Sequence, residues 1–241
     1  MEKIGLAIIT YNRLDYLKRC IESLEKNNFG GADKIVIIDD CSTDDTEDYL
    51  NELPYMSITK EENKGVAHSK NNALFYLINI EKCDHVFIME DDIIMKHPDT
   101  CKLYIDYAKQ HNLHHMNFAL HGPLNKGKKF LYQHTISVYP DCVGAFSYYT
   151  KECIENVGYF DEHFHNVWEH VEHTWRIAQM GYTTPFWYFA DHPLSDKLLE
   201  EQPNAIENGV IRPQPNWAYD MKAGKAYFIQ KHSHWLPPRP Y

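Results

Sequence analysis

Three short apolar runs, residues 4–9, 35–38 and 85–89, each end in a polar or acidic cluster. They are nearly continuous in apolar residues, which marks strands buried on both faces, not the alternation of a half-solvated strand. Between them lie segments with helical spacing: Leu14, Leu17, Ile21 and Leu24, then Ala73, Leu74, Leu77 and Ile78. Strand–helix alternation with short connections predicts a mostly parallel sheet covered by helices on both sides. In such sheets ligands bind beyond the carboxyl ends of the strands. The clusters Thr10-Tyr11-Asn12-Arg13, Asp39 to Asp44, and Glu90-Asp91-Asp92 are therefore expected to converge.

The rest of the chain reads less sharply. Ser42 and Thr43 are placed to cap a short helix running to Leu50, and Pro98 and Asp99 to open another. Residues 135–139, 145–149 and 184–189 are expected as strands. Residues 153–157 and 169–180 are expected as helices, the latter stopped by Gly181. From Pro193 onward prolines multiply and apolar periodicity fades. This predicts an extended tail with one short helix, packed on the domain or closing over a site, where His232, His234 and Trp235 would lie. The expected organisation is a single domain over 1–192, with a nucleotide-binding half (1–115) and an acceptor half (116–192), and a tail over 193–241.

The 241 residues suffice to bury a full core. A net charge of −10 argues against nucleic-acid binding, which needs a basic stripe. The run Lys126, Lys128, Lys129 reads as a solvated loop. Six widely spaced cysteines, with no Cys-x-x-Cys pair, read as reduced thiols and favour a cytoplasmic location. No signal peptide or membrane-spanning run is visible, and a peripheral association with a membrane stays open. The histidines at 163, 165, 170 and 173 match no zinc spacing, and most of the aromatic residues are expected in the core.

Three carboxylates closing a buried strand need a counterion. A divalent cation fits, because Mg²⁺ and Mn²⁺ take oxygen ligands and hold diphosphate oxygens. The alternative is that the acids cap the following turn.

Five segments, in order from about residue 4 to 190, resemble the family 2 glycosyltransferases, inverting enzymes of the GT-A fold, a Rossmann-like nucleotide-binding architecture. They are residues 8–13, Ile38-Asp39-Asp40-Cys41-Ser42-Thr43-Asp44-Asp45-Thr46, Asn63-Lys64-Gly65 through Lys70-Asn71, Glu90-Asp91-Asp92, and Gly158-Tyr159-Phe160-Asp161-Glu162 with Trp168-Glu169-His170 through Arg176. The resemblance implies a nucleoside diphosphate sugar as donor, with a UDP-sugar favoured, and a glycan or glycolipid hydroxyl as acceptor. It implies that Thr10, Tyr11, Asn12 and Arg13 cradle the nucleotide and that Asp40 accepts from the base. Lys70 would face the nucleotide or its phosphates, Asp91 the ribose or sugar, and Asp92 the metal, Mn²⁺ or Mg²⁺. His192 is expected to add a metal or phosphate contact, or else to be a loop histidine.

One position departs from the family pattern. The family's catalytic aspartate is His170 here. Histidine can serve as the general base for the acceptor hydroxyl, with Glu169 as the nearest rival and Glu172 more simply paired with Arg176. The departure leaves two readings, a transferase or a non-catalytic nucleotide-sugar-binding protein. A nucleotidyltransferase is disfavoured, because the loop after the first strand lacks the Gly-rich, basic character that holds a triphosphate.

Overall fold

A computed structural model describes residues 2–121, 124–211 and 213–232. The chain runs β1 (Ile4–Thr10), α1 (Leu14–Lys26), β2 (Lys34–Asp39), α2 (Thr46–Glu52), β3 (Met56–Thr59) and α3 (Gly65–Phe75), the last continued by a π-helical turn over Tyr76–Ile80. Next come β4 (His85–Glu90), β5 (Ile93–Met95), α4 (Thr100–His111), β6 (His115–Asn117), β7 (Phe130–Tyr132), β8 (Ile136–Tyr139) and β9 (Phe146–Thr150). The remainder is α5 (Lys151–Val157), α6 (Glu169–Gln179), β10 (Phe189–Ala190), α7 (Ser195–Leu198), β11 (Leu199–Glu201) and α8 (Trp217–His232).

The central sheet has the order β3-β2-β1-β4-β9-β6. β1, β2, β3 and β4 pair in parallel, whereas β9 is antiparallel to both β4 and β6. The apolar run of β1 explains the layering. Leu6 and Ile8 face a core formed with Leu17, Ile21 and Leu24 of α1 and Tyr104 of α4. Ala7 and Ile9 face the opposite core, with Ala73 and Leu74 of α3 and Ile177 of α6. Both sets are fully or almost fully buried, so each large apolar side chain contributes about 1.5–3 kcal/mol. The fold is thus the expected helix-flanked, mostly parallel sheet. All six cysteines are unpaired.

Several local expectations give way to tertiary contacts. α2 starts at Thr46, not near Ser42, because Asp39 takes up the Ser42 amide and hydroxyl. The strand expected over 184–189 shrinks to Phe189–Ala190. Pro185 lies in a turn closed by the Tyr188 amide, and Trp187 has φ +77°. β3 was not anticipated; its first residue is exposed and its apolar content is small. The region beyond 193 carries more structure than an extended tail with a short helix. β11 pairs antiparallel with β5, and α8 spans 16 residues. His234 and Trp235 lie outside the described residues. Among the described residues, no helix is long and apolar enough to cross a membrane.

α8 is fixed by charge more than by apolar burial. Only Phe228 of this helix is buried. Its last turn supplies Lys231 Nζ and His232 Nε2 to the fully buried Glu172 carboxylate, at 2.7 and 3.0 Å. Arg176 is also paired with Glu172, at 3.0 Å.

Candidate active site

Register brings the strand ends together. Thr10 lies opposite Asp39, and Ile9 lies opposite Glu90. The Thr10 hydroxyl donates to Asp91 Oδ2 at 2.8 Å. Asn12, with φ +52°, knits the β1 and β2 loops. Its amide donates to Ser42 Oγ at 2.8 Å, and its Oδ1 accepts from the Thr43 amide at 2.6 Å. Asp40 is buried, pairs with the Lys60 ammonium and accepts from the Lys64 amide at 3.1 Å. Tyr11 is half-buried at the same edge.

Arg13 neutralises the acidic strand end. Its Nη1 sits 3.1 Å from Asp91 Oδ1 and 3.3 Å from Asp92 Oδ2, and its Nη2 donates to the Ala205 carbonyl at 3.3 Å. Burial pushes the Asp91 carboxyl up to about 7, against the pull of Arg13 and with the push of Asp92. Asp92 is likewise raised by burial, while His121 and Arg13 favour its charged form. Gln202 stitches the segment after β11 to this motif. Its amide donates to the Asp92 carbonyl at 2.7 Å and its side chain to the Asp91 carbonyl at 2.8 Å. A cavity of about 750 Å³ opens here, lined in part by Asn12, Arg13, Tyr16, Asp44, Pro203 and Asn208.

The imidazole beside Asp92 is that of His121, not His192. His121 Nε2 lies 3.8 Å from both Asp92 Oδ2 and Glu201 Oε1. Its loop is held because the Ala119 amide donates to the buried Asp191 carboxylate at 3.0 Å. His192 instead packs near Tyr104 and Tyr107, with ring centroids 5.4 and 5.2 Å away, and its Nδ1 accepts from the Leu194 amide. Burial lowers its pKa to about 4, which keeps it neutral.

Among the described residues, Asp92 Oδ1 and both His121 nitrogens are buried without a hydrogen-bond partner. A carboxylate oxygen and an imidazole left open side by side fit a divalent cation such as Mn²⁺ or Mg²⁺. Among the described residues, no three His, Cys, Asp or Glu side chains form a complete cage.

On the other side of the sheet edge, α6 begins with Glu169 directly after Trp168, whose φ is +71°. The left-handed residue swings the chain so that Glu169 turns inward and His170 stays partly open. Glu169 Oε1 and His170 Nδ1 are 3.0 Å apart. Glu169 Oε1 also accepts from Lys70 Nζ at 3.1 Å. Lys70 is buried, and its three N–H groups meet Glu90 (2.9 Å), the Gly144 carbonyl (3.1 Å) and Glu169. The lysine therefore bridges the acidic strand end and the start of α6. Burial alone would raise the Glu169 carboxyl, but His170 and Lys70 outweigh it and hold it below the usual range. Carboxylate to imidazole N–H is the arrangement that fixes a tautomer and leaves Nε2 as the acceptor.

Gly144 gives the His170 ring its room. A Cβ there would stand 2.9 Å from Cγ and 3.0 Å from Nδ1. Gly144→Ala should displace the ring and break its bond to Glu169. A loss of about tenfold or more in turnover is expected, with a cooperative melting curve retained. Unchanged turnover would mean the ring position is irrelevant.

Sequence reading singled out Arg13, Asp40, Asp91, Asp92, Glu169 and His170, and the structure brings them to one edge of the sheet. It did not find His121, Gln202, Lys60 or Gly144. Each comes from a loop with no periodic signal, and its position depends on partners 20 or more residues away.

The family profile described as glycosyl transferase family 2 matches residues 6–116. Among solved structures, S. aureus TarS 1–349 is 19% identical, covers 95% of this chain and 71% of its own, and superposes with a TM-score of 0.56. The same S. aureus protein in complex with UDP-GlcNAc is 18% identical, with 94% and 66% covered and a TM-score of 0.57. The mannosyltransferase PcManGT from Pyrobaculum calidifontis, in complex with GDP-Man and Mn²⁺, is 15% identical, with 98% and 76% covered and a TM-score of 0.56. At these identities the likeness concerns the fold. None of the curated proteins matches the sequence.

Proposed function

We propose that this chain, whose residues 6–116 match the family 2 glycosyltransferase profile, moves one sugar, with inversion, from a nucleoside diphosphate sugar to an acceptor hydroxyl of a glycan or glycolipid. The observation that carries this reading is the Glu169–His170 pair, tied by Lys70 to Glu90. His170 Nε2 takes the proton from the acceptor hydroxyl as its oxygen attacks the anomeric carbon in line. The bond from that carbon to the phosphate oxygen breaks on the opposite side, and the diphosphate leaves. Glu169 holds His170 in the required tautomer and stabilises the imidazolium that forms. Lys70 keeps Glu169 ionised and fixed; it serves as a positioning residue, since its donors are all committed to protein acceptors.

On the donor side, Thr10, Tyr11, Asn12 and Asp40 bind the nucleoside, with UDP favoured because Asp40 suits a ring N–H donor. Asp91 meets the ribose or sugar. Asp92, with His121, would hold Mn²⁺ or Mg²⁺, which supplies charge for the leaving diphosphate. His192, buried near two tyrosines, stays a candidate for a phosphate contact. Arg13, which pairs with both aspartates, would offer its guanidinium to the phosphate side of the site.

The test is thermal shift against a panel of nucleotide sugars, with and without Mn²⁺. Stabilisation by one donor, dependent on the metal, is expected. Asp92→Ala should reduce that metal-dependent shift at least tenfold in apparent affinity, about 1.4 kcal/mol. Survival of the full shift in Asp92→Ala would remove Asp92 from the metal site. Donor binding with no transfer and no hydrolysis would favour a binding protein.

A further inference from the structure

β7 is the outer strand of the three-stranded sheet β10-β8-β7. Successive side chains of a strand point to opposite faces, so burial of one face should hide either Phe130 or Leu131. Both are open, at 42% and 60%, while every residue of the partner strand β8 is buried. Leu124 adds a third exposed apolar side chain at 58%. Leu194, also exposed at 56%, follows Pro193, whose carbonyl accepts from Lys129 Nζ at 2.8 Å. An exposed apolar edge of this kind is a candidate contact surface.

The charge says which partner. The chain carries 24 Lys and Arg against 34 Asp and Glu, yet Lys126, Lys128 and Lys129 stand together and exposed between the apolar residues. Basic side chains interleaved with Leu and Phe match an anionic lipid surface, with the rings and aliphatic groups in the interface and the ammonium groups on phosphates. The segment is held in place and not left to drift. Asn125 is fully buried, donating to the Ala119 and Asp141 carbonyls at 2.7 and 2.8 Å and accepting from the Asp141 amide at 3.1 Å. It also lies at the active edge. β6 runs parallel to β4 through β9, so its loop leaves the sheet on the Glu90 side, with His121 beside Asp92.

We propose that residues 124–131 form a docking surface for an anionic membrane, which turns the active edge toward the bilayer. This binding does not depend on the reading of the transfer reaction.

The test is co-sedimentation of the whole chain with vesicles of phosphatidylcholine alone and of phosphatidylcholine mixed with phosphatidylglycerol. Binding is expected to the mixed vesicles only, and to weaken as salt rises. K126Q/K128Q/K129Q should lower it by about a hundredfold, at roughly fivefold per basic residue. F130S/L131S should weaken it further against salt. If either variant melts early, the contrast between the two vesicles and the salt dependence of the unaltered chain still decide. Equal binding to both vesicles, no binding to either, or undiminished binding by both folded variants would overturn the proposal. So would a concentration-dependent dimer in gel filtration that F130S/L131S dissolves, since a second copy would then cover the edge.

Discussion

His170→Ala is expected to slow sugar transfer by about a thousandfold while leaving metal-dependent donor binding intact, because a positioned general base contributes 10²–10⁴ in rate. The side chain is only partly buried, and among the described residues its imidazole bonds to Glu169 alone, so the fold should survive. Glu169→Gln should also slow the reaction, by about tenfold to a hundredfold, because an amide can orient the ring but does not stabilise the imidazolium. The measurement is single-turnover transfer beside donor affinity from the same thermal-shift titration. If His170→Ala transfers at the original rate and Glu169→Gln does not, Glu169 is the base. Loss of donor affinity in step with rate would place His170 on the donor side.

Lys70→Met should cost about 3–5 kcal/mol of stability, because a buried ammonium leaves two carboxylates and a carbonyl without their donor. For a chain of this size that corresponds to a fall in Tm of roughly 10 °C. The pH dependence carries the sign. Glu169 has its pKa depressed in the folded state, so its contribution is present above the unfolded value of 4.5 and is lost as pH falls toward the folded value. Without Lys70 the burial effect gains weight, the carboxyl rises, and the variant binds that proton at higher pH than the parent. The deficit in Tm should therefore be largest near neutral pH and narrow on acidification. A deficit that is flat with pH would show that Glu169 is not held ionised by Lys70.

Lys70 also shows where sequence reasoning stopped. Its place in the Asn63-to-Asn71 segment marks it as a site residue, and the natural expectation for a cation there is a phosphate. That its three donors are spent on Glu90, Gly144 and Glu169 depends on the approach of β4, the segment before β9 and α6 to α3, since these acceptors lie 20, 74 and 99 residues from it along the chain. The histidines make the same point. His192 follows a strand at the active edge and His121 follows β6, and nothing in local spacing distinguishes them. The four donors to Asp191, among them the amides of Ala119 and His192, direct one imidazole toward Asp92 and the other toward Tyr104.

What the sequence by itself determined is whatever rests on periodicity and chain order: the parallel strands buried on both faces, the helices that cover them, and the acidic and polar clusters at their carboxyl ends. Those follow from local geometry, since an apolar run of that length has few other ways to be buried. Only the tertiary structure decided how charge is balanced at the site: Arg13 against Asp91 and Asp92, Lys70 between Glu90 and Glu169, and Glu172 against Arg176, Lys231 and His232. It also decided that the region beyond residue 193 forms a strand on β5 and a long helix. A buried charge is stable only beside its counter-charge, and which one arrives depends on how distant segments pack.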